Sequence, residues 1–179
     1  MSVVVSLPVD HESRDIGELA VWTATSAKSG NGVDLLRDGR DDTYWQSDGT
    51  QPHVITLSFQ RKVFMKKLAM LLDYRMDESY TPSKILVRVG DSLADLYDLR
   101  TVELAQPQGW AVIPLALDED GENYAKAWML QVVVQANHQN GKDTHVRQLR
   151  VFGPRQLGLL DPCQAKLSLT AQGNYGLIH

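Results

Sequence analysis

The sequence predicts an all-β, antiparallel fold, closed as a sandwich or a barrel. Three features carry that expectation. Apolar residues recur at every second position in short runs, as in Ile55, Leu57 and Phe59, the period of a half-buried strand. Turn formers separate the runs at Gln51-Pro52, Thr81-Pro-Ser83, Gly90-Asp91, Pro107-Gln-Gly109 and Asp118-Glu-Asp-Gly121. A helical period of 3.6 residues is almost absent, and no parallel-sheet alternation of strands with helices is visible.

Taken in order, residues 1–15 carry Pro8, His11 and several charges without a period, so they read as an N-terminal arm. Residues 19–25 alternate weakly around Trp22 and predict a first strand. Lys28-Ser-Gly-Asn-Gly32 is a turn cluster. Residues 33–37 predict a short helical turn, stopped at Asp38-Gly39. In Asp41-Asp-Thr-Tyr-Trp-Gln-Ser-Asp-Gly49 the bulky Tyr44 and Trp45 are flanked by polar residues. Trp45 is expected to plug the end of the fold with its indole N–H on a backbone carbonyl, the alternative being a stacking platform for a ligand. Strands are then predicted over 53–59, 67–72, 84–89, 110–113, 128–134 and 146–152. Their inward faces include Leu68, Met70 and Leu72 on one, and Ile85, Val87 and Val89 on another. After Gly153-Pro154 the rhythm weakens. The organisation is therefore an arm over 1–15, a β-domain over 16–153 and a C-terminal tail over 154–179.

Composition narrows the function classes. A chain of 179 residues with a 43% hydrophobic fraction suits one domain with a sizeable core. A formal net charge of -4 gives no electrostatic case for nucleic acid or an anionic membrane. No apolar run approaches the length of a membrane span. Residues 1–8 lack a basic n-region and a long apolar core, so they do not read as a signal peptide. The single cysteine, Cys163, excludes an internal disulfide and fits a reducing compartment.

Two connections are richer in polar side chains than a turn requires. One is Ala136-Asn-His-Gln-Asn-Gly-Lys-Asp-Thr-His145, read as the tip of a hairpin. The other is Asp73-Tyr-Arg-Met-Asp-Glu-Ser-Tyr-Thr-Pro-Ser83. Polar loops on a rigid sheet are where binding groups sit, and a jelly roll gathers its loops at two ends. Amide and imidazole groups pair directionally with a peptide backbone or with sugar hydroxyls. Lys142 and Arg147 are too few cations for a nucleic-acid site. The loop histidines, His138 and His145, also pose a metal-dependent hydrolase. Their spacing matches no ligand motif, and no HExxH, CxxC, P-loop or Gly-x-Ser-x-Gly elbow is present. No catalytic residue, metal or cofactor is expected.

These residues carry a family resemblance. The stretch from Leu35 to Gly49 resembles the opening of discoidin, or galactose-binding-like, sandwiches. Thr43-Tyr-Trp-Gln-Ser-Asp-Gly49, Asp77-Glu-Ser-Tyr-Thr-Pro-Ser83, Val87-Arg-Val-Gly90 and the loop from Ala136 to His145 are similar to four ordered blocks of the Doc domain. The match runs from about Ile16 to Phe152. The chain's length further resembles the free-standing Doc-domain subunits of the anaphase-promoting complex.

The resemblance implies an antiparallel jelly-roll β-sandwich with short helical turns and flexible terminal tails. It implies a non-catalytic subunit of a cell-cycle ubiquitin ligase, in the nucleus and cytoplasm. Such a subunit holds destruction-box degrons together with a β-propeller co-activator. The implied degron-facing residues are Ser79, Tyr80, Asn137, His138, Gln139, Asn140, Asp143, Thr144 and His145. Family members finish in Ile-Arg and dock that tail in a tetratricopeptide-repeat scaffold. Here Leu177 precedes Ile178-His179. Ile178 can still fill an apolar pocket, and His179 is a weaker, pH-dependent substitute for a guanidinium. The alternative reading is a discoidin-like glycan-binding module, which would favour a secreted context with disulfides.

Overall fold

The computed structural model describes residues 2–7, 10–119 and 123–155. Cys163 and the tail residues Leu177, Ile178 and His179 lie outside them. The strands are β1 (Ser2–Val4), β2 (Ser13–Asp15), β3 (Ala20–Ala24), β4 (Trp45–Gln46), β5 (His53–Met65) and β6 (Lys67–Asp73). They continue with β7 (Pro82–Gly90), β8 (Tyr97–Glu103), β9 (Gln108–Pro114), β10 (Ala125–Asn137), β11 (His145–Val146) and β12 (Gln148–Pro154). One helical turn, α1 (Tyr74–Asp77), follows β6. Short 3-10 turns cover Val33–Arg37, Glu78–Tyr80 and His138–Asn140.

Every strand pairing is antiparallel. One sheet runs β1-β9-β6-β12-β2, the other β3-β5-β10-β7-β8, and β4 pairs with β11 at one end. The chain is an antiparallel jelly-roll β-sandwich. Alternation decides which side chains meet between the sheets. Ile55 and Leu57 of β5, Ile85, Val87 and Val89 of β7, and Leu130, Val132 and Val134 of β10 face Leu68, Met70 and Leu72 of β6 and Leu149 and Val151 of β12. All are buried, as the alternation predicts.

Trp45 closes one end of this core. It is fully buried, and its indole N–H donates to the Ser26 carbonyl at 3.1 Å. The plug reading holds and the stacking-platform alternative does not.

Several elements differ from expectation. Strand β5 continues to Met65 instead of stopping at Phe59. Its exposed Gln60, Arg61 and Lys62 lie in a register shift against β10, and that polar bulge breaks the alternation. Strand β8 was not expected. Only Val102 is buried along it, so it has no legible apolar face. The arm residues also form structure. Strand β1 pairs with β9 and β2 with β12, so they supply both edges of the first sheet.

Between them Val4 and Leu7 pack on Ala69, Leu71 and Trp110, the outer face of that sheet. Asp10 pins this crossing. It accepts from the Ser13 hydroxyl, the Glu12 N–H and Lys67, and together these hold its carboxyl well below the usual range. Finally, the loop after β10 is not a hairpin tip. Strand β10 belongs to the second sheet and β12 to the first, so residues 138–144 carry the chain from one sheet to the other.

Candidate functional site

That crossover puts the two polar connections side by side. Asn137 at the end of β10 is in register with Pro82 at the start of β7, and the His138 N–H donates to the Thr81 carbonyl at 2.9 Å. The 3-10 turns Glu78–Tyr80 and His138–Asn140 therefore lie against each other at one end of the sandwich. Gly141 sits so close to Ser79 that an added Cβ would lie 1.7 Å from the Ser79 carbonyl oxygen. Glu78, Gln139 and Asn140 adopt left-handed φ values of 46°, 54° and 54° without being glycine. Such conformations persist only where surrounding structure holds them.

What holds the crossover is a set of side chains that grip its carbonyls. Asn137 Nδ2 donates to the carbonyls of Gly141 at 3.1 Å and Asp143 at 3.0 Å. Gln51 Nε2 donates to the Gly141 carbonyl at 2.9 Å, and His53 Nε2–H donates to the Lys142 carbonyl at 2.6 Å. The Thr144 hydroxyl donates to Asn137 Oδ1, and the Thr144 N–H donates to the Ser47 hydroxyl at 2.8 Å. Asn137, Thr144, His53 and Ser47 are all buried. Asn137→Ala is expected to orphan buried partners and cost roughly 2–3 kcal/mol of stability, measured as a shift of the chemical-denaturation midpoint.

A second set joins three segments through one buried carboxylate. Arg147 grips Asp77 with two hydrogen bonds, Nε to Oδ2 at 2.9 Å and Nη2 to Oδ1 at 2.7 Å. His145 Nδ1–H donates to Asp77 Oδ1 at 3.2 Å, and its Nε2 meets the side-chain amide of Gln46 at 3.0 Å. The Asp77 side chain is 4% exposed. Burial pushes its carboxyl up, but the bonds from His145 and Arg147 and the guanidinium charge outweigh burial and hold it below the usual carboxylate range. The same pairing raises Arg147. The His145 ring is stacked between Tyr44, at 3.9 Å between centroids, and Tyr80, at 4.1 Å. The stack ties residues 44–46, 77–80 and 145–147 into one unit.

The nine residues implied by resemblance thus divide into two groups. Asn137, Thr144 and His145 are buried and internally bonded. They shape the rim without facing solvent. Ser79, Tyr80, His138, Gln139, Asn140 and Asp143 are exposed or half-exposed. Tyr80 is 40% exposed, with one face on His145. Gln139 Nε2 donates to the Tyr74 hydroxyl at 3.1 Å, and the Ser47 hydroxyl donates to Asp143 at 3.2 Å. His138 packs edge-on to Tyr74 at 5.0 Å between centroids.

Both ring nitrogens of His145 are engaged, by Asp77 and Gln46, and its ring is sealed between tyrosines, whereas His138 lies against Tyr74. Sequence reading missed Tyr44, Gln46, Gln51, Asp77 and Arg147. The signal available for Asp77 was a carboxylate inside a block singled out for Ser79 and Tyr80, but only the fold brings it to Arg147.

Chemically, the arrangement is a rigid rim of amide, hydroxyl and carboxylate groups, suited to directional hydrogen bonding along an extended chain. Comparisons with known proteins agree with the fold and narrow the family. Among solved structures, the family 32 carbohydrate-binding module of Clostridium perfringens NanJ, in complex with galactose, superposes with a TM-score of 0.64 at 10% sequence identity. The match covers 78% of this chain and 98% of that one, a likeness of fold alone.

Among relatives, anaphase-promoting complex subunit 10 of Bos taurus is 50% identical over 141 residues, covering 79% of this chain and 75% of the relative. That of Homo sapiens is 49% identical over the same span and shares. The family model for anaphase-promoting complex, subunit 10 (APC10) matches residues 4–166. With nearly the whole sandwich inside that match and half its residues shared with these relatives, the chain belongs to the anaphase-promoting complex subunit 10 family.

Proposed function

We propose that this chain is a non-catalytic, substrate-recognising subunit of the anaphase-promoting complex. It acts as a co-receptor, holding destruction-box degrons jointly with a β-propeller co-activator so that ubiquitination is processive. Family membership supports the subunit role. One observation supports the co-receptor role. Two polar loops meet at one end of the sandwich, their outward groups fixed by buried hydrogen bonds.

Backbone donors and acceptors of an extended peptide match the Ser79 hydroxyl, the Gln139 and Asn140 amides and the Asp143 carboxylate. Single bonds of this kind are weak. A second receptor on the same substrate raises the effective concentration, so a weak grip here still lengthens residence. Ubiquitin chemistry belongs to other subunits. The tail residues Leu177, Ile178 and His179 are assigned to a tetratricopeptide-repeat scaffold, and the site of action is the nucleus and cytoplasm.

The test separates rim from framework. Replacing Asn137 or His145 by alanine would disturb the fold, so the informative variant is Ser79→Ala/Asn140→Gly/Asp143→Asn, which keeps the left-handed backbone at 140 and an acceptor for the Ser47 hydroxyl. Its thermal midpoint should match the parent. Glycine accepts the φ of 54° at position 140, asparagine at position 143 still accepts from Ser47, and substitutions away from such features change stability by at most about 0.5 kcal/mol. In reconstituted complex, ubiquitins added per destruction-box encounter should fall several-fold. Normal chain lengths with this variant would remove the rim from substrate binding.

A further inference from the structure

Each sheet ends on strands whose outer sides are unpaired among the described residues. The first sheet has the chain's own N-terminal residues as its edge strands, β1 beside β9 and β2 beside β12. The second sheet ends on β8, and among the described residues no strand pairs with its outer side. A β-bulge opposite Val87 and Arg88 leaves Arg100–Glu103 as a regular open edge. Unpaired N–H and C=O groups on such an edge are a template for another strand.

A groove of about 670 Å³ runs along this edge. Its floor is apolar, from Val102, Ile113 and Ala116, and its rim carries Glu103, Asp118 and Glu119. All three rim carboxylates are exposed, and none forms an ion pair among the described residues. The one cation of the lining, Arg100, turns its guanidinium to the Ala116 carbonyl at 2.5 Å.

We propose that the open edge of β8 and this groove receive an extended, basic segment of another polypeptide as an added strand. The main-chain groups of Arg100–Glu103 supply the ladder. Side chains at alternate positions of the guest fall on the apolar floor, and lysines or arginines between them meet the three carboxylates. The guest is therefore basic and apolar in alternation. This site shares no residue with the Ser79–Asn140 rim. Its Glu103 end pairs with Lys84 of β7, close to the Pro82 that is in register with Asn137, and it runs from there toward Arg100. It does not depend on the degron reading. Membership of a family of complex subunits makes a neighbouring polypeptide the natural source of the strand.

The test uses the full chain and three capped octapeptide probes. One alternates lysine with valine, one alternates glutamate with valine, and one is the lysine probe with every second amide N-methylated. The lysine probe should bind saturably, with amide shifts and slowed exchange centred on Arg100–Glu103. N-methylation should weaken it about tenfold or more, since it removes at least two ladder bonds, and the glutamate probe should not bind. Glu103→Gln/Glu119→Lys should weaken the lysine probe about tenfold without moving the thermal midpoint; Asp118 is left in place because it accepts from the Asn123 N–H. The Ser79→Ala/Asn140→Gly/Asp143→Asn variant should bind it normally. Equal binding of the N-methylated probe, shifts centred outside β8, or no saturation at about 1 mM, the weak limit of a specific contact, would each overturn the proposal.

Discussion

Asp77→Ala is expected to unfold about 10 °C below the parent. The lost carboxylate leaves the Arg147 guanidinium and His145 Nδ1–H facing a gap in a buried site. Removing one partner of a buried, hydrogen-bonded ion pair costs roughly 3–5 kcal/mol. For a chain of this size each kcal/mol lowers the midpoint by about 2–4 °C. Calorimetry at neutral pH checks the magnitude, and a drop under about 2 °C would show that Asp77 is not the keystone described.

The pH dependence follows from the direction of the shift. Asp77 is held below its unfolded value, so its contribution is fully present above about pH 4 and is lost as pH falls through the folded value. Between pH 4 and 2 the parent's midpoint should therefore fall more steeply than that of Asp77→Asn. The same variants should lose degron affinity, because Tyr44, His145 and Tyr80 are stacked as one unit.

Gly141→Ala should separate binding from stability. Gly141 has φ near -59°, which any residue adopts, so the backbone itself is not strained by a side chain. The obstacle is the Ser79 carbonyl, 1.7 Å from the new Cβ, and backbone cannot swing aside like a flexible side chain. The two loops must move apart. Overpacking of this kind costs about 1–3 kcal/mol, a midpoint loss of a few degrees. The rim depends on both loops together, so degron affinity should fall at least about tenfold, as expected when two or more hydrogen bonds go out of reach. Fluorescence anisotropy with a labelled destruction-box peptide in the reconstituted complex gives the affinity. Unchanged affinity would mean that the facing of Ser79 and Asn140 is irrelevant to the peptide.

Much of the fold was legible because burial imposes a period of two on a strand. Ile55, Leu57 and Phe59 announce their face, and so do Ile85, Val87 and Val89. Strand β8 was not legible, since an edge strand with one buried residue leaves no period in its side chains. Nor were β1 and β2, whose three residues each are recruited by edges that other parts of the chain create. Trp45 was readable as a plug because a large aromatic among polar neighbours needs both a buried ring and a partner for its N–H.

By itself the sequence determined the strand faces, the two polar loops and the ordered blocks that mark the family. Those are properties of neighbours along the chain, carried by alternation, turn chemistry and local residue order. Only the tertiary structure decided which loop residues face water and which hold the others. Asn137 and Asn140 are three positions apart, yet one is buried and triply bonded while the other is exposed. That outcome is set with the help of groups distant in sequence, Ser47, Gln51 and His53, which reach the crossover only once the two sheets have closed.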